Sequence, residues 1–238
     1  MAVPLDARVI HASAPGVDDR YGSAMLDTTL NELSLLDWKQ RVFALYAEIR
    51  VHPSPRVAWE RWRLGRDGLF TSHPQSPLPP AQRDTFGGLT YHEYDPAFRT
   101  LGSVTSAEDV VVEVSTSTGE RYPFRRFATI QFSLDKAQYE LPAYWLCGYG
   151  GGLFLPFADL TNTTSTYGAG RYLLDTIKGA DLGLIDGQLV LDFNFAYNPS
   201  CAYEPRWTCP LAPNENRLAV AVTAGEQRFS SGDHARSE

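Results

Sequence analysis

Cysteine is scarce in this chain: three in 238 residues, an odd number. A small secreted scaffold held by paired disulfides is therefore excluded, and the count fits a reduced, cytosolic protein. Basic residues are outnumbered, 21 Lys and Arg against 28 Asp and Glu, for a net charge of −7. A general nucleic-acid binder needs a basic footprint, so no nucleic-acid partner is expected. No apolar run approaches the roughly 20 residues that a membrane helix requires, which leaves no expected membrane partner. The first residues, MAVPLDARVIHASAPG, lack the charged start and continuous apolar core of a signal peptide, and the expected location is cytoplasmic. Neither GxxxxGK[ST] nor GxGxxG occurs, and there is no internal repeat or low-complexity tract. What remains is ordinary globular usage, 43% apolar and 21% charged, with aromatics at 12%. A core of this size buries roughly 70–75% of the unfolded surface, enough to hold without disulfides or metals.

The organisation reads as helices first and strands afterwards. Residues 1–30 are weakly patterned, 31–228 read as one globular domain, and 229–238 form a polar tail. Leu35, Trp38, Val42, Leu45, Tyr46 and Ile49 recur at spacings of three and four, with Ser34 as the expected N-cap. Pro53 and Pro55 end that run. Ser54-Pro55 then opens a second helix carrying Ala58, Trp59, Trp62 and Leu69 inward. The Arg56, Arg61, Arg63 and Arg66 cluster is read as its solvated face, and the helical part spans 34–70. Residues 73–80, HPQSPLPP, are a proline-rich connector.

From 88 to 228 the period falls to two. Strands are expected at Glu108–Ser115, Arg121–Phe132, Glu140–Tyr149, Leu153–Phe157, Arg171–Thr176, Leu182–Ile185, Gln188–Phe195 and Leu218–Thr223. Arg126 interrupts the apolar face of the second. Asp186-Gly187 marks a short hairpin turn. Short turns without intervening helices point to an α+β fold. Its N-terminal helices precede a mainly antiparallel β-barrel or two-layer β-sandwich.

Candidate chemistry gathers late in the chain. In Gln188–Phe195, alternation puts Asp192 and Asn194 side by side on one face, as a polar pocket or a solvent-facing edge would. Residues 196–217 form a long coil with four prolines and two cysteines, the kind of loop that is functional or disordered; its aromatics argue for order. Cys201 and Cys209 are separated by seven intervening residues. That is too wide for a usual zinc pair, so no metal ligand is assigned; the pair reads as buried thiols or a loop-closing disulfide. Before Arg171, a Thr- and Gly-rich loop containing Gly168 and Gly170 reads as an anion cradle or a plain turn.

The segments FLPFADLTN, TYGAGRYLLD and LVLDFNFAYNPSCAYEPRWTCPLAPNENRL, with AGE near the end, resemble the bacterial and archaeal domain of unknown function numbered sixteen eighty-four. The resemblance covers roughly Leu35–Arg228. It transfers positions without a substrate: Tyr167, Gly170 and Arg171; Asp192, Asn194, Tyr197, Asn198, Pro199, Cys201 and Tyr203; then Cys209, Pro210, Asn216 and Arg217.

Three functional expectations stand side by side. The first is a small-molecule site, for an anion and with or without catalysis, at one end of the β body. Asp192, Tyr197 and Cys201 are its candidate catalytic groups. Arg171, Asn194, Asn198, Tyr167, Tyr203 and Arg217 are its candidate ligand-binding groups. The second is a non-enzymatic interaction module, in which these residues pin a buried loop and Arg171 pairs with Asp192. The third is a metal-dependent enzyme recruiting a distant His. No cofactor or oligomeric state is assigned.

Overall fold

The computed structural model describes residues 19–230. Helix α1 runs Asp19–Arg50 and α2 runs Pro55–Ser72; a short third helix, α3, is Pro80–Arg83. Seven strands follow: β1 Arg99–Ser115, β2 Arg121–Leu134, β3 Ala137–Leu146, β4 Leu153–Phe157, β5 Arg171–Asp175, β6 Leu184–Ile185 and β7 Gln188–Asp192. They form one antiparallel sheet in the order β5-β4-β3-β2-β1-β7-β6, in which β5 and β6 are the two open edges. The α+β class and the antiparallel body expected from the sequence are present, as a single continuous sheet.

The second helix starts where its residues dictate. The Ser54 hydroxyl accepts the Val57 N–H at 3.4 Å, and Pro55 supplies a fixed φ at a position with no N–H partner to lose. The first helix begins well before Ser34, at Asp19. Ser34 is not a cap; its hydroxyl donates to the Asn31 carbonyl within the helix. Residues 19–30, read as weakly patterned, are therefore helical, while 1–18 and 231–238 lie outside the described residues.

Two aromatic-rich cores sit on the sheet. One joins Trp59, Trp62 and Phe70 of α2 to Phe124, Tyr144, Phe154 and Tyr172. The indole N–H of Trp59 donates to the Asn194 carbonyl at 2.9 Å, and that of Trp62 to the Tyr46 hydroxyl at 3.0 Å, so neither aromatic strands a polar atom. The other core packs Ile130, Phe132, Leu141, Leu155, Phe157, Leu191 and Phe193 under Leu218, Val222 and Ala224. Where β2 and β3 pair, Arg126 faces Tyr144 and Ala128 faces Ala143, which leaves Phe127 as an extra, bulged residue. Accordingly the inward set on β3 changes parity, from Leu141 and Ala143 to Tyr144. Arg126, the break in the β2 pattern, turns out to Glu215 at 2.9 Å.

Leu218–Thr223 is the one expected strand that pairs with no sheet. Its alternation is real, with Leu218 and Val222 buried, but its polar groups are taken elsewhere. The fully buried Arg171 guanidinium donates to the Val222 carbonyl at 3.0 Å, to that of Ala224, and to that of Glu226 at 3.3 Å. Those are alternate carbonyls that one side chain satisfies, while the Leu218 N–H and the Val220 carbonyl bond the Ala158 carbonyl and Leu160 N–H of a short parallel neighbour. Arg171 pairs with the equally buried Asp159 at 2.9 Å, not with Asp192. The second Asp159 oxygen accepts the N–H groups of Thr161 at 2.8 Å and Val222 at 3.2 Å. Strand β7 likewise stops at Asp192 rather than Phe195, because the Asp192 carboxylate caps a 3-10 turn by accepting the Asn194 N–H at 3.0 Å.

Removing one partner of a buried, hydrogen-bonded ion pair costs about 3–5 kcal/mol. Arg171→Met is expected to lower the melting temperature by roughly 6–20 °C, and Asp159→Leu added to it to recover part of that loss. Thermal unfolding followed by circular dichroism checks this; an Arg171→Met protein melting within about 2 °C of the parent refutes it.

Candidate functional site

A cavity of about 230 Å³ opens between the helices and the sheet. One wall is α1, through Leu35, Trp38, Val42 and Tyr46; α2 adds Arg66 and Phe70, and the connector adds Gln75 and Pro77. The opposite wall is the 196–217 coil, through Tyr197, Asn198, Tyr203, Trp207 and Cys209, with Lys178 and Ala180 beside it. The apolar part is mostly aromatic. Three cations, Lys39, Arg66 and Lys178, reach the wall, and no carboxylate does among the described residues.

The acids that balance those cations stand behind them. Arg66 pairs with the buried Glu226 at 2.7 Å and donates to the Tyr91 hydroxyl at 3.1 Å. Glu226 also accepts from the Tyr203 hydroxyl and from the Asn198 N–H at 3.0 Å. Burial raises the Glu226 pKa, against the pull of Arg66. Lys178, half exposed, pairs with the buried Asp175 at 3.0 Å. Tyr197 sits under the Arg66 guanidinium, 5.0 Å from its ring centre, and its hydroxyl approaches Asp175 at 3.5 Å. Both cation heads are thus fixed from the protein side. The Asn198 amide nitrogen donates to the Gln227 carbonyl at 2.8 Å, while its oxygen, buried, has no partner.

Of the residues singled out by sequence, Tyr197, Asn198 and Tyr203 line this cavity, and Cys201 touches it through Cys209. The others do not converge there. Arg171 is sealed into the core, its donors spent on Asp159 and backbone carbonyls, so it has no reach to a ligand. Tyr167 contacts the Cys201 sulfur at 3.7 Å, and Arg217 is exposed on the surface.

Asp192 and Asn194 are buried rather than lying on a solvent edge. Asn194 accepts the Asp95 N–H at 2.9 Å and donates to the Asp95 carbonyl and to Asp192, both at 2.8 Å. This ties β7 to the segment before β1 and explains why the polar face of β7 is dry. Burial pushes the Asp192 pKa up to about 6, against hydrogen bonds from Asn194 and the charge of Arg99, 3.6 Å away. Asn216 plays a similar part, donating to the carbonyls of Pro142 at 2.9 Å and Pro156 at 2.8 Å. The cysteines are free thiols, and among the described residues no His, Cys, Asp and Glu group could hold a metal ion.

Sequence reasoning missed Trp38 as a wall, Lys178, Glu226 and above all Arg66. The signal for Arg66 was available. It follows Trp62 by four residues and precedes Phe70 by four, so it lies on the buried stripe of α2 and not on its solvated face.

Fold and site together define an α+β protein whose helical pair and C-terminal coil enclose a small cation-bearing cavity. Residues 84–227 match the family model described as "Protein of unknown function (DUF1684)", and the chain belongs to that family. It is similar to an uncharacterised protein of Haloarcula marismortui, solved by solution NMR. The identity is 40%, over 69% of this chain and 89% of that one, with a TM-score of 0.52. A search of curated proteins returns no match. The helices α1 and α2 and the connector, which together supply half of the cavity lining, precede the matched residues. No helix among the described residues is long and apolar enough to cross a membrane.

The raised Asp192 pKa has a definite consequence for stability. The folded state holds this proton more tightly than the unfolded chain does, whose Asp pKa is near 3.8. The stabilisation is present below pH 4 and lost as pH rises through 6, by about 3 kcal/mol at 1.36 kcal/mol per unit. Urea unfolding at pH 4 and pH 7 should show Asp192→Asn gaining on the parent by that order at the higher pH. A difference that stays constant with pH would show that Asp192 titrates normally.

Proposed function

We propose that the protein binds a small organic anion with an apolar body in the cavity between its helices and its sheet. The carrying observation is the charge distribution. In a chain of net charge −7, the cavity wall presents three cations and, among the described residues, no carboxylate. Arg66 and Lys178 hold the anionic group, each already oriented by its buried acid. The free Asn198 oxygen accepts a hydrogen from a hydroxyl or amide of the ligand. Trp38, Phe70 and Trp207 contact its apolar part. The volume lies just below the roughly 300–1,000 Å³ of drug-sized sites, so the ligand is smaller than a nucleotide cofactor. Binding without covalent chemistry is the reading favoured, because Asp192 lies outside the cavity wall and, among the described residues, no histidine is part of it.

A panel of aryl- and alkyl-carboxylates, set against their neutral amides, tests this by thermal shift. At 100-fold above Kd, a fitting anion contributes about 2.7 kcal/mol and raises the melting temperature by roughly 5–10 °C. Lys178→Met, a half-exposed position, is expected to weaken that anion about tenfold or more while leaving the unliganded melting point within about 2 °C. Equal stabilisation by the neutral amides, or none by any anion, would refute the reading.

A further inference from the structure

The two cysteines of the 196–217 coil are side by side. The Cys201 backbone N–H donates to the Cys209 sulfur at 3.3 Å. Both are reduced, buried to 8% and 5% exposure, and enclosed by polar groups rather than by aliphatic packing alone. The Tyr167 hydroxyl stands 3.7 Å from the Cys201 sulfur, and the Ser117 hydroxyl accepts the Cys209 N–H at 3.1 Å. Cys209 forms part of the cavity wall, so a small solute that enters the cavity reaches Cys209, with Cys201 directly behind it. The intervening residues are coil and turn, with Glu204 to Thr208 partly or fully exposed, so no strand pairing has to break for the sulfurs to close up.

We propose that Cys201 and Cys209 form a peroxide-reactive dithiol that closes reversibly to a disulfide, with Cys201 oxidised first and Cys209 resolving it. The Cys201 thiolate attacks one oxygen of hydrogen peroxide. An S–O bond forms, the O–O bond breaks, and hydroxide leaves to take up the proton that Cys201 has lost. Cys209 then attacks the Cys201 sulfur; an S–S bond forms, the S–O bond breaks, and water departs with the Cys209 proton. Overall two thiols and one peroxide give one disulfide and two waters, and an external dithiol reverses the change. The ordering rests on the Tyr167 hydroxyl, which stands 3.7 Å from the Cys201 sulfur and is placed to donate to its thiolate. Contact with Cys209 also brings the Cys201 pKa down to about 6, whereas contact with Cys201 and burial push Cys209 up. The assignment does not depend on the cavity holding an anion.

The test uses the full-length protein, reduced and desalted, and treated with one to ten equivalents of hydrogen peroxide. Free thiols are then alkylated and mapped by mass spectrometry. The expected result is joint loss of label at Cys201 and Cys209, a cross-linked peptide joining them, and recovery of both labels with dithiothreitol. Half-buried Cys147, whose thiol points to the Trp145 carbonyl at 4.0 Å, should keep its label and serves as the internal control. In Cys209→Ala, a sulfenic acid should persist at residue 201 and be trapped by dimedone. The parent protein alone decides the matter if that variant does not fold. Labels retained at Cys201 and Cys209, or lost without a cross-link, would overturn the proposal.

Discussion

The Arg171 guanidinium is the contact on which the architecture depends. It lies at the start of β5, fully buried, and holds Asp159 with one edge and the carbonyls of Val222, Ala224 and Glu226 with the other. Burying that charge is costly unless its donors are matched, and here the two terminal nitrogens are matched by Asp159 and backbone while Nε has no partner. A stretch of chain whose backbone otherwise bonds short segments around residues 90–92, 158–160 and 196 is thereby fixed against the sheet. Its last anchored residue, Glu226, turns its carboxylate to Arg66, Tyr203 and the Asn198 N–H. One buried arginine thus positions a carboxylate, and that carboxylate positions the second buried arginine on the far side of the cavity wall.

This arrangement explains why so much polar chemistry in the chain points inward, onto backbone. Asp159 and Asn194 satisfy backbone atoms of segments outside the strands, and Asn216 ties the coil to the carbonyls of Pro142 in β3 and Pro156 in β4. A coil of about twenty residues packed against a sheet leaves many N–H and C=O groups dry, and short polar side chains are the means of pairing them. The cavity is a by-product of the same construction. The coil is held off α1 and α2 by the Arg66 and Glu226 pair, and the gap is faced by aromatics on one side and cation heads on the other.

Local signals in the sequence were sufficient for most elements. Ser54-Pro55 set the start of α2, the β-branched run before Ser115 set the end of β1, and Asp186-Gly187 set the β6–β7 turn, with both residues at positive φ. Periodicity failed where a residue fits a pattern for a different reason. Leu218–Thr223 alternates as a strand does because alternate side chains face a core, yet it meets only a short run at residues 158–160 and the Arg171 side chain rather than a strand of the sheet. Arg66 was assigned to solvent because charge was weighed above spacing, although its spacing places it with the tryptophans.

The sequence by itself determined the element types, the antiparallel α+β class and the membership of the long coil in an ordered structure. Each of these rests on contacts between near neighbours or on composition. Only the tertiary structure decided which polar residues are scaffold and which face open space. Arg171 pairs across 12 residues with Asp159, Arg66 across 160 with Glu226, and Trp59 across 135 with Asn194. No periodic pattern encodes such pairings, because the free energy of a buried charge is set by whatever the rest of the chain brings to it, not by its place in its own strand or helix.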